Sequence, residues 1–299
     1  LNNHTVTIAG VNGSGPASAA AIENSATTAG IGTLILSTPA GGTFSYPSIF
    51  RDTGAGGMGL SGTLALIKRG EGTQILGGSI GISGGIQIEA GSLVLAGANT
   101  TSGPLILRGG VLTLSNSKGS GNSAFIFDAG TLLFDASVAS NTFSLFALSG
   151  SSRLSLSNTA IPPGAISLTV GSANTSTTFT GTLDGSGNLT KVGSGMLALL
   201  GSNSYSGTTT VSTGTLLANS LGNFNTPGAV SVANGALLLL RAGGAGEWAE
   251  GDVNTLLANA NLNTSGSLGF DITAGNSFTF SGSLSGARSL FKYGNGSLV

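Results

Sequence analysis

Residues capable of chemistry are sparse in this chain, and their spacing argues against most of the reactions they suggest. Gly81-x-Ser83-x-Gly85 has the spacing of a nucleophile elbow. A serine nucleophile needs a base, and the only histidine is His4, in a terminal strand-like run. Gly54-x-Gly56-x-x-Gly59 matches a dinucleotide fingerprint, which requires a strand before it, a helix after it and an acid about 20 residues on. Leu60 to Lys68 follows instead and reads as a strand; with 52 glycines a chance match is expected. Asp184-Gly185-Ser186-Gly187-Asn188 resembles the opening of a calcium loop but lacks the bidentate glutamate that closes one. The Gly-Gly-x-Gly-x-Asp calcium repeat is also missing, so a tight turn is the reading adopted. Sugar hydrolysis needs two carboxylates flanking the substrate. The eleven acids are dispersed, and Asp128 and Asp135 are the closest strand-borne pair, with nothing that selects them. There is no cysteine, which excludes disulfides and thiolate metal sites. We expect no catalytic residues, no cofactor and no metal.

The strongest pattern is a repeat. Leu-x-Gly-x-x-x-Leu-x-Lys-x-Gly-x-Gly occurs three times without a gap. It runs through Leu60, Gly62, Leu66, Lys68, Gly70 and Gly72, then Leu183, Gly185, Leu189, Lys191, Gly193 and Gly195, then Leu284, Gly286, Leu290, Lys292, Gly294 and Gly296. One backbone shape is therefore built several times, the mark of a stacked architecture. We expect these glycines and lysines to be structural, with each lysine at a rung corner and its charge in solvent.

The elements that carry this repeat are short strands. Leu-x-Leu runs such as Leu34 to Leu36, Leu64 to Leu66, Leu93 to Leu95, Leu112 to Leu114, Leu154 to Leu156 and Leu197 to Leu199 start mostly about 20 or 30 residues apart. Alternation at period two gives each strand one inward apolar face. A sandwich would show turn signals every 8–12 residues. The longer recurrence favours an all-β, right-handed parallel β-helix, the hand that parallel crossovers take. At ~22 residues per rung and ~4.8 Å between strands, the chain makes about 13 rungs and ~60 Å of stack. Phe125, Phe127, Phe134, Phe143 and Phe146 read as an interior stack. The runs Thr175 to Thr180 and Thr208 to Thr210 suit strands, and an outward threonine array could also meet ice or a glycan. Residues 1–299 are expected to be one solenoid segment. Ala17 to Ala29 and Arg241 to Ser265 stand out as excursions; the second, a candidate insertion, holds the only tryptophan, Trp248, and a helix-like run from Val253 to Ala260.

Composition narrows the class. Charged residues are 7% of 299, against about 25% in ordinary soluble domains. Net charge is -1 with scattered basic residues, which gives no footprint for nucleic acid or for an anionic membrane. No apolar run reaches the ~18 residues of a spanning helix. The chain opens at Leu1 without a leader, and we expect an excerpt or repeat module of a longer chain or filament. Joined tail to head, Gly296, Ser297, Leu298, Val299 and Leu1 spell the run found at Gly91 to Leu95. Leu1, Ser297, Leu298 and Val299 are therefore expected self-assembly ends, since an uncapped solenoid edge templates addition.

Residues Phe179 to Asn219 resemble the autotransporter-associated β-strand repeat, also called the passenger-associated transport repeat. The resemblance rests on Leu189 to Gly195, Leu197 to Leu200, Asn203 to Val211 and Gly214 to Leu216. It is good again at Phe278 to Val299 and partial at Leu60 to Leu95, where the Asn-x-Tyr-x-Gly element is missing. The resemblance implies a right-handed β-helical passenger, secreted through the outer membrane to the bacterial surface, with an adhesive or structural role rather than a reaction. The expected function is a module of a surface filament or stalk that assembles end to end with itself. The alternatives are a passenger segment whose effector lies elsewhere, and a β-helix that binds or cleaves carbohydrate, which would make surface glycans its partners.

Overall fold

The computed structural model describes residues 1–14, 21–52, 61–224, 230–259, 266–284 and 289–299. Leu60, the glycines at 54, 56 and 59, Gly286, and parts of the two expected excursions lie outside the described residues. Two compact units are formed, Leu1–Phe146 with Asn158–Pro163, and Ala147–Ser157 with Gly164–Val299. Nearly all regular structure is strand, and the ladders between strands are parallel.

In the first unit one ladder climbs through Thr5–Ile8, Gly30–Ser37, Gly62–Arg69, Ile86–Ile88, Leu105–Leu114 and Ala124–Phe134. A second climbs through Thr43–Tyr46, Thr73–Leu76 and Ser92–Leu95 and joins Leu105–Leu114. A third stacks Ala21–Glu23, Ile49–Arg51 and Ile80–Gly81. In the second unit, Ala147–Gly150, Thr177–Phe179, Met196–Leu199, Thr215–Ala218, Leu237–Arg241, Ser267–Asp271 and Leu290–Tyr293 follow one another. Ser167–Val170, Asn188–Lys191, Thr209–Val211 and Val230–Val232 form a parallel companion. Each unit is thus a parallel β-solenoid. Its rungs are set by sequence spacing: Leu66 pairs with Ile86 and Leu197 with Leu216, while longer rungs pair Gly30 with Gly62.

Register converts alternation into columns. Leu34, Leu66, Ile86, Leu105 and Phe125 stack in one buried column of the first unit. In the second, Leu199, Ala218, Leu240 and Phe270 do the same. Burying a leucine-sized side chain stabilises by about 1.5–3 kcal/mol, and here the interior is made almost wholly of such columns. Phe125, Phe127, Phe134 and Phe143 are buried and Phe146 is half-buried. Phe125 and Phe127 have ring centroids 5.6 Å apart, and Phe134 and Phe143 4.7 Å.

Of Arg241 to Ser265, the described part holds the helix Glu250–Asn259, with Val253 and Leu256 buried. Trp248 is a core residue, and its indole N–H donates to Ala218 O at 3.1 Å. Among the described residues no helix is long and apolar enough to cross a membrane.

Candidate functional site

The repeated lysines are the most unusual groups in the fold. Lys68 stands in the inward column Leu36, Lys68, Ile88, Leu107, Phe127. Lys191 stands in the inward column Val170, Lys191, Val211, Val232. Both are buried, at 0% and 1% exposure, so the expectation of a solvated charge is overturned. The physical reason is strand parity. Leu64, Leu66 and Lys68 share one face, as do Leu189 and Lys191, so the register that buries the leucines also buries the lysine stem.

Burial is tolerated because the ammonium is fully solvated by backbone. Lys68 Nζ donates to Arg69 O at 2.8 Å, Gly70 O at 2.7 Å and Ala90 O at 3.1 Å. Lys191 Nζ donates to Val192 O at 2.7 Å, Gly193 O at 2.9 Å and Thr213 O at 3.3 Å. Two acceptors lie in the lysine's own corner and the third belongs to the following rung, 22 residues on. Three donors thus meet three carbonyls, and each ammonium ties two rungs together. Burial lowers both lysines from an ordinary 10.5 to about 8; at Lys68 the charge of Glu71 opposes the fall.

The glycines of the repeat shape this corner. Gly70, Gly193 and Gly294 share a left-handed conformation, with φ of 70°, 74° and 70°. At Gly72 and Gly195, two residues later, an added Cβ would collide with Pro39 O and Thr175 O of the rung beneath. Gly62 and Gly185 leave room for Asn24 and for Ser157 in the same way. Lys292 differs from its two counterparts: it is exposed, and among the described residues it donates to Gly294 O alone, at 2.5 Å.

Buried amides make a second set of corner ties that sequence reasoning missed. Asn203 Oδ1 accepts from Leu183 N at 2.8 Å, and its Nδ2 donates to Asn223 O at 3.1 Å. Asn99 repeats the arrangement with Ile80 N at 2.9 Å and Gly119 O at 2.6 Å. Tyr205 is buried, its hydroxyl bonds Thr209 Oγ1, and burial pushes its pKa up to about 12. A usable signal existed. Lys68 and Lys191 each follow a leucine by two residues, and each is followed 23 residues on by the glycine of a Gly-Ser/Thr-Leu strand, Gly91 and Gly214.

The remaining chemical candidates are not assembled into a site. Ser83 offers its backbone N–H to the Asp52 carboxylate at 3.0 Å. Asp184 pairs with Arg153, and Asn188 Oδ1 accepts from Thr208 N, so the Asp184 to Asn188 run is a corner between strands. Asp135 accepts from Ser115 Oγ at 2.5 Å and Ser137 N at 2.9 Å, and these bonds hold its carboxyl below the usual range. Asp128 is exposed on the outer face of its strand. Among the described residues no cluster of His, Cys, Asp or Glu could hold a metal. A cavity of about 140 Å³ lies in the first unit, lined by Ala65, Ile67, Gln87, Pro104 and Ile106 among others. Leu1 N donates to Glu23 O at 2.9 Å; Ser297–Leu298 pairs with Ser277–Phe278, and Val299 is 71% exposed.

These features define a class: parallel β-solenoids whose rungs are tied together at repeated corners. Residues 66–95, 89–114 and 189–218 match the passenger-associated-transport-repeat family. Lys68 and Lys191 fall inside those stretches; Phe278 to Val299, with Lys292, does not. The chain is also 40% identical over 157 residues to the Adhesin BmaC autotransporter of Brucella suis biovar 1 (strain 1330), which covers 52% of this chain and 4% of that protein. The chain therefore spans a small fraction of the relative's length. No solved structure matches. The repeats and the adhesin likeness together indicate a surface-exposed or secreted passenger segment.

Proposed function

We propose that this chain is a structural module of an adhesive bacterial surface protein, without enzymatic activity, and that its terminal rungs add to further rungs of its own kind end to end. The observation that carries the reading is the strand Leu290–Tyr293. It continues the column in which Leu268 and Phe270 are buried, yet Leu290, Phe291 and Tyr293 are 46%, 42% and 45% exposed. Lys292 draws on one carbonyl where Lys68 and Lys191 draw on three, the third from a stacked rung. A further rung would bury Leu290, cover part of Phe291 and Tyr293 and complete the lysine's set, a gain of about 25 cal/mol per Å² of apolar surface covered. Electron microscopy of the 299-residue chain tests this. Thin fibres with an axial repeat near ~60 Å are expected. Isolated particles at every concentration would sink the end-to-end reading.

One observation favours a second reading, contact with neutral surface glycans. Thr169, Thr190, Thr210 and Ser231 stand on successive rungs of the second unit, on the half-buried outer face of the ladder. Ser167 and Asn188 lie beside them, so this face presents hydroxyls and an amide. Retention on immobilised polysaccharide should be lost in Thr190→Val/Thr210→Val; equal retention of both proteins would overturn it.

A further inference from the structure

Charge is scarce in this chain, yet the first unit aligns four charged residues of alternating sign. Lys68, Ile88, Leu107 and Phe127 are partners on successive rungs, and all four point inward. The residue that follows each of these is Arg69, Glu89, Arg108 and Asp128, none of them buried; the ladder shifts register at the last step, where Arg108 pairs with Ala129, so Asp128 stands one residue off the row at a bulge. Arg69 and Glu89 pair within the chain, with Nε to Oε2 at 2.5 Å and Nη2 to Oε1 at 3.2 Å. Arg69 holds the Glu89 carboxyl below the usual range, and Arg108 adds to the effect. Arg108 and Asp128 are exposed, and among the described residues neither makes an ion pair. Two residues back along the same strands runs a half-buried row, Ile67, Gln87, Ile106 and Ile126, which borders the cavity.

We propose that this outer face pairs side by side with the same face of a second copy, the two solenoid stacks running antiparallel. The argument is charge complementarity. A row reading plus, minus, plus, minus becomes minus, plus, minus, plus when reversed. A two-fold axis along the strand direction, between the Glu89 and Arg108 rungs, therefore sets Arg69 against the partner's Asp128 and Glu89 against the partner's Arg108. Each contact is made twice, as an isologous interface requires. The same axis lays Ile67 against the partner's Ile126, which removes apolar surface from water. Parallel stacking in register would oppose like charges. The association goes beyond end-to-end addition and uses none of Leu290 to Tyr293.

Sedimentation velocity of the 299-residue chain tests the proposal, in a Leu290→Lys/Phe291→Lys background that suppresses end addition. A reversible dimer at low salt that dissociates as salt rises is expected, because exposed charges are screened. Arg69→Glu/Arg108→Glu makes the row all negative, and Glu89→Lys/Asp128→Lys makes it all positive. Each variant alone should be monomeric and their mixture should recover the dimer. Swapping all four signs keeps the alternation and the internal pair, and should dimerise as the parent does. Far-UV circular dichroism confirms that each variant is folded. A monomeric parent at low salt, dimers that survive both double reversals, or a mixture that stays monomeric would each overturn the proposal.

Discussion

At the scale of single residues, the two caged ammoniums make the sharpest predictions. Lys191→Met keeps the aliphatic stem but strands Val192 O, Gly193 O and Thr213 O. These carbonyls are only partly shielded from water, so the loss lies at the low end of the cost of an unmade bond, and we expect urea unfolding to show a loss of about 1–2 kcal/mol. Lys292→Met, exposed and bonded to one carbonyl, should stay within about 0.5 kcal/mol of the parent. The pH dependence follows from the lowered lysine values. Below about pH 8 both lysines are protonated folded and unfolded, and the cost of burying the charge is carried in full. Between about 8 and 10.5 the folded chain releases these protons first, so rising pH favours the fold. Tyr205, raised to about 12, acts in the opposite sense above 10. Relative to a Lys68→Met/Lys191→Met variant, the parent should therefore gain stability from pH 8 to 10. A parent that loses ground over that window would contradict the burial argument.

At the scale of the element, the unit is strand, corner, strand, and the corner is demanding. Gly193 has φ of 74° and sits against Gly171 O. Gly235 has φ of 78° with open space around it. Gly→Ala at position 235 should cost only the left-handed penalty, about 1–2 kcal/mol. The same change at 193 adds a collision with backbone that cannot turn aside, so its unfolding midpoint should fall further. Equal midpoints would mean that the close stacking of corners contributes nothing. Elements also explain what alternation could and could not reveal. Leu64, Leu66 and Lys68 read as strand, and the parity that buries the leucines was visible in the spacing. That a cation could share their face was not, because its carbonyl partners come from a corner and from a rung 22 residues away. Trp248 likewise looked like part of an excursion and is a core residue through its bond to Ala218 O, 30 residues distant.

At the scale of the molecule, stability is distributed along stacks in which each rung touches its neighbours. Amide hydrogen exchange should reflect this. Protection should be high in Leu105–Leu114, which is paired on both sides, and low in the exposed strand Leu290–Tyr293. Uniform protection would argue for a single cooperative unit. The sequence alone determined that the chain is a stacked parallel coil. Spacing near 20 and 30 residues, period-two alternation and recurring glycine corners are local properties, and local sterics and apolar burial suffice to express them. Its repeat signature was equally legible, because one backbone shape demands the same few residues each time. Tertiary structure alone decided where charge goes. Whether a lysine is caged or solvated, and whether four scattered charges form one alternating row, depends on which rungs become neighbours, and that is a property of register between residues far apart in the chain.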